Sequence, residues 1–511
     1  MAAGILIFSQ STLICARRRN RTAGSHSFKV ETMLKHRQPP HRPRKFRIRA
    51  LASAATLALA GALTAPSAYA DVRDTDIICG ASYAEQARAA EDQPDIVAAA
   101  AIVVGQDGTA YFERDADAEV KIASLTKVMT AIIALENAQP DDTVTVDQRA
   151  ATVGQSTADL KEGDKLPLSE ALKGLMMPSG NDAAMAIAAS VGALINPQSD
   201  SPYQTFIDAM NTKAAELGMD HTVFANPHGL DFDGWEGDFH STARDVATMF
   251  AHAMKNEAFR SIVADTDNHI TVTSADGSER AIELKQRNEI LGQDGNIGGK
   301  TGGTYIALSN FVGAFNREAG GEIYTVVLGS ETSDTRWDDT RTLANWYYDH
   351  VVSYPVASSR TQAVTAEGTP LVGRAAHDDW TDKTVDVTLA DPEQAVSLFS
   401  LAGDVEAALD IDRVQGDVKR GDTVGELVLS QQGREVARAE LVAAENQSAP
   451  QGIDWLMVQL DRLVRTVLGE DATAQNQELI EPVDPQDLDA VGADNNAAND
   501  SDAAADAQPA S

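Results

Sequence analysis

Ser124 and Lys127 stand three residues apart, Ser179 and Asn181 flank Gly180, and Lys300 leads into Thr301 and Gly302. Each pattern alone is too short to be specific, but in this order they describe one chemistry. A serine hydroxyl attacks a carbonyl at neutral pH only if a base takes its proton, and a lysine three positions further along a helix lies on the same face. That lysine is a base only where desolvation or a neighbouring cation lowers its pKa. Lys300 is a candidate for the cation, and its ammonium can also attract a substrate carboxylate. The residues read as a serine hydrolase with a lysine base.

Several elements must position these groups. Ile96 to Val104 is an apolar run, Asp107-Gly108 a hairpin turn, and Thr109 to Glu113 a second strand. Ser124 is expected to open a helix reaching about Asn137, with Pro140 beyond it, so that free N–H groups lie beside the nucleophile. Further helices read from Leu168 to Met176, Ala183 to Leu194, Tyr203 to Leu217, Ala243 to Asn256 and Arg341 to Val352. Strands read from Lys300 to Thr304, Tyr305 to Phe315 and Ile323 to Gly329. Strands at both ends and helices between them imply an antiparallel sheet with helices packed on it, an α+β arrangement within the broad α/β class.

Residues 354–449 change character. Thr361 to Thr365, Thr384 to Leu389, Val396 to Phe399, Thr423 to Leu429 and Glu435 to Leu441 read as short strands of a smaller all-β domain. It carries no paired acids or nucleophile, which suits a spacer or scaffold for the first domain better than a binding module. Residues 453–468 then repeat apolar side chains at helical spacing. Sixteen residues with four charges cannot span a bilayer. Such a helix lies on a membrane surface or packs on a domain, and its place after the second domain favours the membrane. Residues 469–511 hold eleven acids and no Lys or Arg, and read as disordered.

The N-terminus reads as a targeting device. Lys35 to Arg49 is basic, Ala50 to Ala65 apolar, and Ala68-Tyr69-Ala70 a small-x-small cleavage pattern, so residues 1–70 are an upstream extension and a secretory signal peptide, with translation expected from Met33. A lipoprotein signal at Cys79 is disfavoured by the bulky Ile78. The first seventy residues carry +11, which leaves −45 on the rest of a chain whose net charge is −34. So acidic a body repels nucleic acid. Cys15 and Cys79 cannot pair after cleavage, and Cys79 reads as an inert thiol rather than a reactive one. No cluster has metal-ligand spacing, and neither metal nor cofactor is expected.

Longer stretches carry a resemblance. Ala123 to Ala131 (ASLTKVMTA), Met177 to Ala184 (MPSGNDAA), Phe206 to Met219, Phe224 to Asp231 (FANPHGLD) and His240 to Asp245 resemble the D-alanyl-D-alanine carboxypeptidase family of low-molecular-mass penicillin-binding proteins. The likeness is strong from about residue 90 to 352 and weaker to about 470. It implies a β-lactamase/transpeptidase-like catalytic domain over residues 71–353. It also implies roles for single residues: Ser124 the acylated nucleophile, Lys127 its base, Ser179 a proton relay, and Asn181 a holder of the substrate's peptide carbonyl. The backbone N–H groups of Ser124 and Gly303 would form the oxyanion hole. Thr301 and Arg336 would bind the terminal carboxylate beside Lys300. A larger residue often stands where this chain has Gly303. With Lys127 as base, His228 and His240 read as structural.

The function that follows is an exported serine-type carboxypeptidase. It would trim the terminal D-alanine from peptidoglycan stem peptides at the outer face of the cytoplasmic membrane, with β-lactam antibiotics as covalent inhibitors. A β-lactamase would want an extra carboxylate on a water, and no Glu-x-x-Leu-Asn loop is present. An endopeptidase cutting cross-links and a silent wall-binding scaffold are the other readings.

Overall fold

A computed structural model describes residues 73–82 and 92–489. The upstream extension, the signal peptide with its cleavage after Ala70, and the end of the acidic tail lie outside the described residues.

The first region runs through strands β1 (Ile77–Ile78), β2 (Ala81–Ser82), β3 (Ala100–Gly105) and β4 (Ala110–Arg114). A 3-10 turn (Ala123–Thr126) then leads into helix α1 (Lys127–Asn137). There follow β5 (Thr143–Thr145), α2 (Gln148–Ala151), β6 (Lys165–Pro167), α3 (Leu168–Met176), α4 (Asn181–Ile195), α5 (Pro202–Glu216), α6 (Ala243–Met254) and α7 (Glu257–Val263). Next come β7 (His269–Thr273), β8 (Glu279–Glu283), β9 (Asn296–Thr304), β10 (Leu308–Arg317), β11 (Gly321–Ser330) and α8 (Ser333–Asp349).

The main sheet has the order β2-β1-β4-β3-β11-β10-β9, with antiparallel neighbours throughout. Alternation along β3 explains its two covers, since successive strand residues point to opposite faces. Ala100, Ile102 and Val104 pack with α1 and α3 to α6, whereas Ala101 and Val103 pack with Trp337, Leu343 and Trp346 of α8. Helices therefore cover both faces, and β9 is left as a free edge.

Several expectations need correction. The α-helix begins at Lys127, not Ser124, because the chain enters through the 3-10 turn. Helix α8 begins at Ser333, eight residues before the expected Arg341. Thr332 and Thr335 cap it reciprocally; the usual signal for such a box is Glu or Gln at the third position, so a threonine there is easily passed over. A further four-stranded sheet, β5-β6-β7-β8, was missed, since two of its strands have only three residues and no pattern to detect.

The second region holds β12 (Val351–Pro355), β13 (Gly373–Ala376), β14 (Thr384–Leu389), β15 (Ala395–Phe399), β16 (Val405–Ile411), β17 (Thr423–Gln431) and β18 (Arg434–Ala443). Helix α9 (Ile453–Leu468) and β19 (Gln477–Glu478) follow. β12 already pairs with β15, so the strand crosses the expected boundary after residue 353. Thr361 to Thr365 forms no strand, only a bridge between Val364 and Pro370. The segment after α9, expected to be disordered, is ordered as far as Asp489. β19 pairs with β13, while Ile480, Val483 and Leu488 pack on the second core. Apolar residues spaced through an acidic tail were the unread signal.

The candidate active site

Ser124 sits on the 3-10 turn and Lys127 opens α1 directly behind it. The Lys127 ammonium nitrogen lies 2.8 Å from Ser124 Oγ, and also donates to Asn181 Oδ1 at 2.8 Å and to the His228 carbonyl at 2.9 Å. Its side chain is fully buried. Burial pushes its pKa down to about 7, against the opposing pull of Asp182, so near neutrality a large fraction is a free base.

Lys300 was read as the cation that depresses Lys127. Desolvation is what does so, and the repulsion between the two amines is felt at Lys300, which burial together with Lys127, Arg336 and Arg287 holds well below the ordinary lysine range. Lys300 Nζ donates to Ser179 Oγ at 2.8 Å and to the Thr301 carbonyl at 2.7 Å. It is 1% exposed, and both of its partners, Ser179 and Thr301, line the cavity.

Asn181 also differs from expectation. Its Oδ1 is committed to Lys127 and its Nδ2 donates to the Gly154 carbonyl at 2.9 Å. In this state it holds the base in place and lies 1% exposed behind the cavity. Ser179 has φ of +63°, a strained value for a serine, which turns the chain sharply before Gly180 caps α4.

A cavity of about 250 Å³ is lined by Ser124, Ser179, Thr301, Gly303 and Arg336 among others. Gly303 lies near the end of the free edge strand β9, where only the Leu308 carbonyl, 3.6 Å away, would meet an added Cβ. Arg336, one turn into α8, is 8% exposed and donates to Ser333 Oγ at 2.8 Å; its guanidinium lies 4.2 Å above the Trp337 ring. Among the described residues it makes no ion pair, and its Nε has no partner. Burial draws it down to about 10 in spite of Glu289 nearby. A buried guanidinium without a carboxylate is costly, and an anion entering the cavity would relieve that cost.

Two supports were not found in the sequence. Asp182 accepts from the N–H groups of Ala158 (2.9 Å) and Leu160 (3.0 Å) and from Thr157 Oγ1 (2.5 Å), which pins the 154–160 segment to α4. That segment in turn supplies the Gly154 and Ser156 carbonyls to Asn181. The second is the backbone of His228. Gly229 has φ of +82° and packs so closely that any side chain there would collide with the Ala123 carbonyl. A glycine after a histidine was the available signal. The His228 ring is buried and held well below the ordinary histidine range, chiefly by desolvation. His240 stands 3.7 Å from Glu119 and 3.5 Å from Asp238.

A profile of the family described as D-alanyl-D-alanine carboxypeptidase matches residues 87–332. The chain is 25% identical over 374 residues to the D-alanyl-D-alanine carboxypeptidase DacF of Bacillus subtilis, covering 70% of this chain and 88% of the relative. It is 32% identical over 256 residues to DacB2 of Mycobacterium tuberculosis, covering 50% of this chain and 83% of the relative. Among solved structures, the Streptomyces K15 DD-transpeptidase aligns with 50% of this chain and 98% of its own, at 32% identity and a TM-score of 0.46.

Proposed function

The chain belongs to the D-alanyl-D-alanine carboxypeptidase family, and from that premise we propose that it is an exported serine-type peptidase acting through an acyl-enzyme on Ser124. Its substrates would be peptidoglycan stem peptides ending in D-Ala-D-Ala, and β-lactams would acylate the same serine. The observation that carries this reading is the buried Lys127 amine 2.8 Å from Ser124 Oγ, beside a cavity that also exposes an unpaired Arg336.

Neutral Lys127 takes the hydroxyl proton as Ser124 Oγ attacks the penultimate D-alanine carbonyl. The backbone N–H groups of Ser124 and Gly303 receive the oxyanion. Ser179, held by Lys300, gives its proton to the leaving amine and receives in its place the one Lys127 took from Ser124, so that it ends the step as a neutral hydroxyl. Terminal D-alanine departs, and water hydrolyses the ester in the reverse proton sequence. The test is to incubate the mature protein with a D-Ala-D-Ala pentapeptide, a cross-linked dimer and penicillin G. Released D-alanine with a penicillin adduct is the expected result. Cleavage of the dimer alone would make it an endopeptidase, rapid penicillin turnover a β-lactamase, and no reaction a silent scaffold.

Arg336 is assigned the substrate's terminal carboxylate. Losing one charge-assisted contact should cost about 1.5–3 kcal/mol, roughly ten- to a hundredfold in kcat/KM. Arg336→Ala should therefore impair a D-Ala-D-Ala peptide and spare one whose terminus is amidated. Equal loss on both substrates would remove it from this role.

Helix α9 is assigned to the membrane surface on the outer side of the cytoplasmic membrane. Ile453, Leu456, Leu460, Leu463 and Val467 all stand exposed, and of the apolar side chains only Val458 is buried. Arg462 ties the opposite face to the Asp378 and Trp380 carbonyls. Among the described residues no helix is long and apolar enough to cross a membrane. Cutting after Gly452 would also remove β19, so charge on the exposed face is the cleaner probe. The double variant Leu460→Glu, Leu463→Glu should lose sedimentation with lipid vesicles while hydrolysing a soluble peptide normally. Unchanged sedimentation would assign the helix another partner.

A further inference from the structure

The protonation of His228 follows from its contacts. The Leu230 N–H donates to Nδ1 at 3.1 Å, so Nδ1 carries the lone pair and the neutral ring has its proton on Nε2. Nε2 is buried and among the described residues has no nitrogen or oxygen partner. Trp235 stands against this ring with centroids 4.5 Å apart and planes at 88°, a geometry in which an N–H can meet a π face. The Arg149 guanidinium also stands near the indole, 5.5 Å from its centroid and 4.2 Å from that of the Tyr203 ring.

What His228 carries makes this contact matter. Its carbonyl is one of three acceptors around Lys127 Nζ, and Gly229 touches the Ala123 carbonyl next to the nucleophile. A change at the imidazole would therefore reach both reacting groups through one peptide unit. We propose that Trp235 is a positioning residue for acylation: its indole face accepts the Nε2–H of His228 and so fixes the carbonyl that holds Lys127. This rests on Lys127 being the base. Trp235 is half-buried in the loop 232–238 and packs against the rim of the main core, so the test compares two replacements that both keep apolar volume there.

Loosening that carbonyl, or admitting water beside it, would remove part of the desolvation that keeps Lys127 a free base. The charged groups that bear on Lys127 and His228 are Asp182 from α4, Lys300 from β9 and Arg149 from α2; of these three Arg149 also contacts Trp235, a contact that Trp235→Phe keeps with an aromatic face.

The experiment compares Trp235→Leu, which keeps apolar volume but no π face, with Trp235→Phe, which keeps a face. The readout is the pH dependence of acylation by a fluorescent penicillin, measured on the full mature chain. Trp235→Leu should move the acidic limb upward by about one pH unit, with about a tenfold loss below it and convergence at high pH. Trp235→Phe should stay within about twofold of the wild type. Equal losses in both variants with an unmoved limb, or no change in either, would overturn the proposal. If Trp235→Leu fails to fold, nitrogen-15 NMR of histidine-labelled wild type decides. An Nε2–H tautomer shifted upfield by the indole supports the contact, and an Nδ1–H or protonated ring overturns it. A wild type that neither binds penicillin nor releases D-alanine would remove the functional reading and this inference with it. Acylation that is indifferent to Trp235 removes the inference alone.

Discussion

Ser124→Ala should abolish both D-alanine release and covalent labelling by penicillin, a loss on the order of 10⁴-fold or more. In the proposed mechanism both reactions pass through an ester on the Ser124 oxygen, and of the hydroxyls that line the cavity it is the one beside the Lys127 amine. Ser179, a buried hydroxyl in the same cavity, lies at 2.8 Å from Lys300 rather than against the Lys127 amine, and its strained backbone holds it there. The substitution removes one oxygen from the turn and should leave the melting temperature close to that of the wild type. Mass spectrometry of the penicillin-treated variant decides. An intact adduct on another residue would move the nucleophile elsewhere.

Lys127→Ala should lower the acylation rate by about 10²–10⁴-fold, the usual contribution of a positioned general base. The residual reaction should lose its acidic limb, because no group titrating near neutrality remains against Ser124. In the wild type the sign is set by a depressed pKa: the base form is deficient below about pH 7 and dominant above it. Activity should therefore fall as pH drops through that value. Asn181 and the His228 carbonyl lose their shared donor in this variant, so a change in melting temperature is expected too. A wild-type profile that stays flat from about pH 5 to 9 would mean that Lys127 is not the proton acceptor.

The closeness of Ser124 and Lys127 was legible because a spacing of three residues on a helical turn brings such side chains together whatever the rest of the chain does. Helix α3 has the bounds its apolar periodicity predicts, Leu168 to Met176, since caps and spacing are local properties. Strands of the main sheet were readable where β-branched residues run continuously, as in Ile102-Val103-Val104 of β3. Three-residue strands such as Thr143–Thr145 were not, because so short a segment pairs only when a partner is already in place.

The sequence by itself determined which groups are available for the proposed chemistry and, through the spacing of its first motif, that Ser124 and Lys127 would be neighbours. Only the tertiary structure decided their electrical state. The Lys127 pKa is lowered because α1, α4 and the His228 turn enclose its amine, and Lys300 is a buried donor to Ser179 rather than an exposed charge for the same reason. Asn181 became a holder of the base through bonds to the distant Lys127 and Gly154. Arg336 lies in the first turn of α8, which begins at Ser333 instead of Arg341, and there it is buried with no ion pair among the described residues. Spacing along the chain fixes which side chains are neighbours on one element, whereas desolvation depends on everything that surrounds a group, and those surroundings come from residues far apart in the chain.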